Sequence, residues 1–274
     1  MLTQAEKGRV FRALHDRDFA FIIPNPWDAG SARLLAHLGF EALATTSAGA
    51  SFAAGKADGT MERDEVMAHV AAMVAATELP VSADLENGFG DSPEMAAETI
   101  RMAAATGLAG GSIEDRSRGE GHAIYARELA KERIRAAAEA AHSLPFPFTL
   151  TARAENYLAG KPDLKDTIER LQAYQEAGAD VLYAPGLATR DDIGAVVRSV
   201  DRPVNFVMGL VGVTLTLEEL SALGVKRVSV GGSLARAALG ALLRAGREMR
   251  EHGTFTFAGS AMSSREVNGI FGGR

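Results

Sequence analysis

The feature that most constrains this chain is a repeated pattern rather than a repeated string of letters. Eight times a short apolar stretch gives way to a polar or glycine-rich loop, then an amphipathic segment, then a turn. The apolar stretches are "FAFII" (19–23), "ALATT" (42–46), "PVSADLE" (80–86), "GGSIED" (110–115), "FTLTARAE" (148–155), "VLYAP" (181–185), "PVNFVM" (203–208) and "RVSVGG" (227–232). Strands this apolar must be covered by helices, so they read as a parallel sheet with helices outside. The intervening segments carry helix signals. "SPEMAAETIRMAAATG" opens on Ser92 as N-cap with Pro93 in the first turn, and Gly107 closes it. In "LKDTIERLQAYQEAG", Ile168, Leu171 and Tyr174 fall on one face and Gly178 ends the helix. Eight such units in one chain of 274 residues predict a single (β/α)8 barrel domain over 1–274. A doubly wound open sheet is the alternative. Residues 3–17 read as an additional N-terminal helix, and 254–274 as a tail whose glycine- and serine-rich part, 257–273, has room for one short helix.

Composition narrows the partners. A net charge of −6 with no block of Lys or Arg argues against nucleic acid and against an anionic membrane. The chain has no cysteine, which excludes disulfides, thiolate metal sites and thiol nucleophiles. No apolar run approaches the ~18 residues of a membrane span, and the first residues lack a signal-peptide pattern, so the expected location is cytoplasmic.

A barrel places its chemistry at the C-terminal ends of the strands. Those ends supply Ser47, then Asp58 in the next loop, Asp84 and Glu86, Glu114, and Arg153 with Glu155. Asp84 and Glu86 stand two apart on what reads as one pleat face, where like charges need a compensating cation, proton or water. Carboxylates without cysteine or histidine describe a hard-cation site, for Mg²⁺ or Mn²⁺ with retained waters. Singly, each carboxylate could cap a helix or pair with an arginine. Arg153 could bind a substrate carboxylate through two N–H groups or form a structural ion pair.

These residues resemble the isocitrate lyase and phosphoenolpyruvate mutase superfamily. The likeness runs from "PNPWDAGSARLLAHLGFEALATTSAG" through "DG", "ADLENGFG", "SIEDR" and "TARAE" to "VSVGGSLAR", essentially the whole chain. By resemblance Asp58, Asp84, Glu86 and Glu114 hold Mg²⁺, one directly and the others largely through water. The family more often has Asp-x-Asp on the third strand, so Glu86 is one methylene longer. The resemblance also implies that Ser47, Ala48 and Gly49 donate backbone N–H groups to the substrate, with Asp58 beside them, and that Arg153 binds substrate. The implied chemistry is cleavage or decarboxylation of a small 2-oxo or 2-hydroxy carboxylic acid, such as oxaloacetate or 2-oxoglutarate, through a metal-stabilised enolate. The implied assembly is a homotetramer in which the last barrel helix or the tail packs on a neighbour, as a helix exchange between subunits would do.

The loop after the fourth strand departs from the family. Isocitrate-type lyases resemble one another in a Lys-x-Cys-Gly-His loop whose cysteine donates a proton. Here the stretch is "RGEGH" (118–122), so Glu120 stands in the cysteine's place and His122 keeps the histidine. Both are candidate catalytic groups, and both could equally be solvated. Pro185-Gly186 also replaces the Pro-Glu of those lyases. The phosphonate branch typically supplies a lysine and then Asn or Thr in this loop, where Arg116 and Arg118 occur instead. Three readings follow: a Mg²⁺-dependent carbon–carbon lyase or decarboxylase, a phosphonopyruvate-type mutase or hydrolase, and a 2-oxo acid binding protein without turnover. Gly231-Gly232-Ser233 reads either as a phosphate site at a helix start or as close helix–strand packing with a plain N-cap.

Overall fold

In the computed structural model, which describes residues 2–119, 121–210 and 212–272, eight parallel strands alternate with helices. The strands are β1 (Phe21–Ile23), β2 (Leu43–Ala44), β3 (Val81–Asp84), β4 (Gly110–Glu114), β5 (Thr149–Arg153), β6 (Val181–Tyr183), β7 (Val204–Val207) and β8 (Arg227–Ser229). Neighbours follow chain order, and β8 lies beside β1. The Ala44 N–H donates to Pro24 O at 3.1 Å and joins the first two units. Asn25 adds to the closure: its Oδ1 accepts the N–H groups of Val230 and Gly231, both at 2.9 Å, and its Nδ2 donates to Thr45 O. The molecule is a (β/α)8 barrel, and the open-sheet alternative falls because the strand order never reverses.

The helices form where their signals stand. Helix α5 (Pro93–Ala105) begins on Ser92, whose Oγ accepts the Met95 N–H, and ends before Gly107 at φ +96°. Helix α7 (Leu164–Glu176) is capped by Asp163 and buries Thr167, Arg170, Leu171 and Tyr174, while Ile168 stays half-buried. Helix α1 (Gln4–His15) packs Phe11 and Leu14 against Phe21, Ala42 and Ala109 at the strands' N-terminal ends. It thereby plugs the bottom of the barrel and leaves the top for chemistry.

Every strand after β1 ends earlier than its letters suggest, β3, β5 and β8 by two or three residues at the site. The sheet stops at Asp84, Arg153 and Ser229, and Glu86 adopts φ +50° in the turn beyond β3. Asp84 and Glu86 therefore do not share a pleat face, because the chain has left the strand between them. The end of the chain also differs in detail. Helix α10 (Ser233–His252) buries only Ala235 and leaves Leu239, Leu242, Leu243 and Met249 exposed. A 3₁₀ turn (Thr256–Ser260) follows, and then the one short helix expected in the tail, α11 (Ser264–Phe271). Helix α11 returns to α2 (Ala29–His37), with the Arg33 guanidinium 5.6 Å from the Phe271 ring.

Candidate active site

Strand register assembles the site. β4 and β5 pair Glu114 with Arg153, and β5 and β6 pair Arg153 with Tyr183, so three functional side chains stand in one row. Arg153 lies over the Tyr183 ring at 5.2 Å and reaches three carboxylates. Its Nη1 is 2.8 Å from Asp84 Oδ1, its Nη2 3.1 Å from Glu114 Oε2, and its Nε and Nη2 are 3.0 and 2.7 Å from Glu155 Oε1. The paired N–H fork expected to face a substrate is thus closed on Glu155. Of the five guanidinium N–H donors, one on Nη1 is left for another oxygen. Burial opposes the charge on Arg153, but Glu155, Glu114 and Asp84 outweigh it and hold the group firmly protonated.

Helix α3 (Ser47–Ala53) starts directly after β2, capped by Thr46. Ser47 and Ala48 line the cavity at the strand ends, whereas Gly49 is buried behind them and its N–H, expected to face a substrate, donates to the capping Thr46 Oγ1 at 3.4 Å. The Ser47 N–H donates to Asp84 Oδ2 at 3.2 Å, and Asp84 Oδ1 also accepts the Glu86 N–H. Gly49 must lack a side chain, since a Cβ would stand 2.6 Å from Thr46 Cγ2 and 2.8 Å from Trp27 Cβ. Asp58 arrives from the loop behind α3 and interacts with the Ser47 side chain; burial and the nearby Asp84 charge push its carboxyl upward.

Arg118, from the loop after β4, resolves the position of Glu86. Its Nε forms an ion pair with Glu86 Oε2 at 2.9 Å, and its Nη2 donates to Gly59 O at 3.0 Å and Met61 O at 2.5 Å. The guanidinium also stacks over Phe89 at 4.8 Å. One arginine thus ties together the loops after β2, β3 and β4. Burial and Asp84 nevertheless push Glu86 up to about 7, and its Oε1 is buried with no partner among the described residues. Glu114 is raised well above the ordinary range by burial, despite Arg153.

Around one mouth the chain therefore gathers five carboxylates, Asp58, Asp84, Glu86, Glu114 and Glu155, against two guanidiniums, Arg118 and Arg153. Such an excess of negative charge fits a divalent cation. Among the described residues, no three His, Cys, Asp or Glu side chains converge closely enough to bind one ion by direct contact. Mg²⁺ commonly takes one or two carboxylates and keeps its remaining waters, and Asp84 and Asp58 are the carboxylates that open onto the cavity.

A cavity of about 370 Å³ opens at this end of the barrel, lined on one side by Ser47, Asp58, Asp84 and Arg153. Glu86 and Glu114 stand behind that lining, and Glu155 is buried beneath Arg153. His122 is exposed, at φ +44°, and is not part of the cavity wall. Glu120 lies outside the described residues. Tyr183, Asn205, Ser229 and Arg236 line the cavity without having been singled out from the sequence. Tyr183 was findable, since it sits at a strand's C-terminal end.

Residues 11–250 match the family model described as phosphoenolpyruvate phosphomutase. The chain belongs to the isocitrate lyase and phosphoenolpyruvate mutase superfamily. A crystal structure of a candidate lyase or mutase from Burkholderia cenocepacia J2315 shares 63% identity, covers 98% of this chain and 97% of its own, and superposes with a TM-score of 0.96. The 2-methylisocitrate lyase of Bacillus subtilis is 28% identical over 262 residues, 92% of this chain and 84% of that one. The structure of 2,3-dimethylmalate lyase is 25% identical with a TM-score of 0.86, over 99% and 95% of the two chains. This superfamily member is an enzyme of the carbon–carbon lyase and mutase type.

Proposed function

We propose that the enzyme cleaves or decarboxylates a small 2-oxo carboxylic acid at the bond to C3, with Mg²⁺ or Mn²⁺ as cofactor. The observation that carries this is the charge set at the cavity mouth: Asp58 and Asp84 open onto the cavity, Glu86 and Glu114 back them, and Arg153 stands among them. Asp84 would hold the cation, with Asp58, Glu86 and Glu114 acting through its waters. Bound there, the cation supplies positive charge beside the 2-oxo oxygen and carboxylate of the substrate. The chain's own groups do the rest. The α3 amides at Ser47 and Ala48 bind the carboxylate, an arrangement that requires the Ser47 N–H to leave Asp84, while the Gly49 N–H stays on the capping Thr46 hydroxyl. Arg153 offers its remaining N–H to the oxygen that gains charge as the bond breaks. Glu155 and Tyr183 fix the guanidinium in place, and Arg118 holds the Asp58 loop against β3. Glu120 and His122 are the candidate proton donors of the loop.

The names of the 2-methylisocitrate and 2,3-dimethylmalate lyases support carbon–carbon cleavage, and the phosphoenolpyruvate phosphomutase family model keeps carbon–phosphorus cleavage as the second reading. The protein is proposed to act in the cytoplasm, and among the described residues no helix is long and apolar enough to cross a membrane. It is proposed to be a homo-oligomer, a tetramer by family resemblance, because α10 exposes a row of leucines that a second subunit would cover. A steady-state panel of oxaloacetate, 2-hydroxy acids, phosphonopyruvate and 2-methylisocitrate tests the reading. Mg²⁺-dependent turnover of a small 2-oxo or 2-hydroxy acid is expected, with 2-methylisocitrate slow for want of a cysteine. Turnover of phosphonopyruvate alone would replace the lyase with a mutase or hydrolase, and saturable binding without any turnover would refute the catalytic assignment.

A further inference from the structure

The turn after β3 concentrates the strained backbone of this molecule. Among the described residues, three that are not glycine adopt φ in the left-handed region, and two of them, Glu86 at +50° and Phe89 at +60°, lie in this one turn, with Gly88 at +87° between them. Such a conformation is unfavourable for a residue with a side chain and persists only where the surroundings over-determine it. The two strained residues are also the two that meet Arg118. Glu86 supplies the carboxylate of the ion pair, and Phe89 supplies the ring beneath the same guanidinium. The shape of the turn therefore seats Arg118 and, through it, the loop that carries Asp58.

The groups that hold this shape stand behind the cavity wall. Helix α6 (Arg127–His142) carries Arg133, which is only 1% exposed. Its guanidinium grips the backbone of the turn: Nη1 donates to Gly90 O at 2.7 Å and to Ser92 O at 3.2 Å, and Nη2 donates to Asn87 O. Burying a guanidinium is unfavourable, and bonds to carbonyls offset that only while the carbonyls stay in place. The same guanidinium lies 4.5 Å from the centre of the Tyr125 ring. Tyr125 donates its hydroxyl proton to Asp91 Oδ1 at 2.6 Å and accepts a bond from Asn87 Nδ2 at 2.8 Å. Asn87 is fully buried, and its Oδ1 accepts the Phe89 N–H at 3.0 Å. Thr99 Oγ1 completes the clamp by donating to Gly88 O at 2.7 Å.

Tyr125 also ties this turn to the loop after β4. The arms of that loop pair antiparallel, with Arg116 opposite Ile124, the Ser117 N–H on Ala123 O at 2.8 Å and the Tyr125 N–H on Asp115 O at 2.9 Å. The loop thus meets the β3 turn twice, through Arg118 on its outgoing arm and through Tyr125 on its returning arm.

We infer that Tyr125 and Arg133 are positioning residues for the metal-binding mouth: they fix the turn at 86–89 from behind, so that Glu86 faces the cation's waters and Arg118 holds the Asp58 loop against them. Neither residue lines the cavity. The inference rests on the metal reading of the carboxylates and deepens it by naming what keeps them in place.

Tyr125→Phe tests this most cleanly, because it keeps the ring beneath Arg133 and deletes one hydroxyl. Mn²⁺ binding, followed by calorimetry, is expected to weaken about tenfold, the change that loss of a buried hydrogen bond converts to. The Phe89 amide is expected to exchange at least tenfold faster. Arg133→Lys keeps a cation but lacks the fork for three carbonyls, and should weaken Mn²⁺ binding at least as much. Leu14→Ala, a core change at the opposite end of the barrel, is the control. It should lower Tm by as much or more and leave Mn²⁺ affinity unchanged, a separation that sets positioning apart from mere stabilisation. In Tyr125→Phe combined with Arg118→Met the two losses should fall short of their sum, since both undo the same seat. Unchanged Mn²⁺ affinity in folded Tyr125→Phe, or strict additivity with Arg118→Met, would overturn the inference, and unchanged affinity in folded Arg133→Lys would remove Arg133 from it. Wild type failing to bind Mn²⁺ would instead refute the parent metal reading, while exchange at Phe89 reports on the turn independently.

Discussion

Replacing Asp115 by alanine should cost far more than its one position in the chain suggests. Asp115 follows Glu114 directly and is buried at the end of β4. Its Oδ1 accepts the Glu155 N–H at 2.8 Å, and its Oδ2 accepts Arg170 Nη1 at 3.0 Å and the Tyr174 hydroxyl at 2.5 Å. It thus locks the ends of β4 and β5 to α7, and with them Glu114, Arg153 and Glu155. Breaking a buried ion pair from one side costs about 3–5 kcal/mol. Arg170 keeps Asp166 at 2.7 Å and Tyr125 O at 2.9 Å, so the lower figure applies. The Glu155 N–H and Tyr174 hydroxyl are left unpaired in the interior, at roughly 1 kcal/mol each. Allowing for water entering the space, Asp115→Ala should destabilise by about 4 kcal/mol. At ~2.1 cal/mol/K per residue, a chain of 274 residues loses about 7 °C in Tm for that change. Urea and thermal unfolding measure it. The double variant Asp115→Leu with Arg170→Met should be less destabilised than the sum of its parts by ~2 kcal/mol, because no lone charge remains buried. A loss below 1 kcal/mol, or strict additivity, would refute the reasoning.

Two further outcomes follow from buried groups outside the cavity wall. Burial, reinforced by Arg227, depresses His15 from 6.5 to about 3, so the unfolded chain takes up a proton below pH 6.5 that the folded chain refuses. Stability from this residue is complete above pH 6.5 and falls by up to ~1.4 kcal/mol per pH unit on acidification towards 3. Urea unfolding between pH 4 and 8 should show His15→Gln losing that slope, and an unchanged slope would contradict the assignment. Arg118→Met removes the link between the β2, β3 and β4 loops, so amides of residues 57–61 should exchange at least tenfold faster, with little change in global Tm. Identical exchange would show that Arg118 does not hold the loops.

How far the sequence could lead depended on whether a contact was local. Apolar runs marked all eight strands, and Ser92, Gly107 and Gly178 marked helix ends, because each signal acts within a few residues. The strand ends were overrun at "ADLE" and "ARAE", where the letters stay strand-like after the chain has turned. Nothing local announces that Glu86 takes φ +50°, a conformation that non-glycine residues rarely adopt. Its partner Arg118 is 32 residues away in sequence and comes from another loop, so the ion pair exists only in three dimensions. For Arg153 the letters left both a substrate ligand and a structural ion pair open, and only the folded chain shows its paired N–H groups closed on Glu155. Arg227 opens a strand, a position that reads as solvent-facing, and only the closed barrel turns it inward against Thr151 and Asn205.

The central claim is that the carboxylate mouth binds a 2-oxo acid through a divalent cation held by Asp84. Calorimetric titration of oxalate, a compact mimic of the carboxylate and its neighbouring oxygen, tests it most directly when run in Mg²⁺ and again in excess chelator, on wild type and on Asp84→Ala. The account expects saturable binding to wild type in Mg²⁺ only, and at least a hundredfold loss in a variant whose circular dichroism is unchanged. Undiminished binding in chelator, or by folded Asp84→Ala, would contradict it.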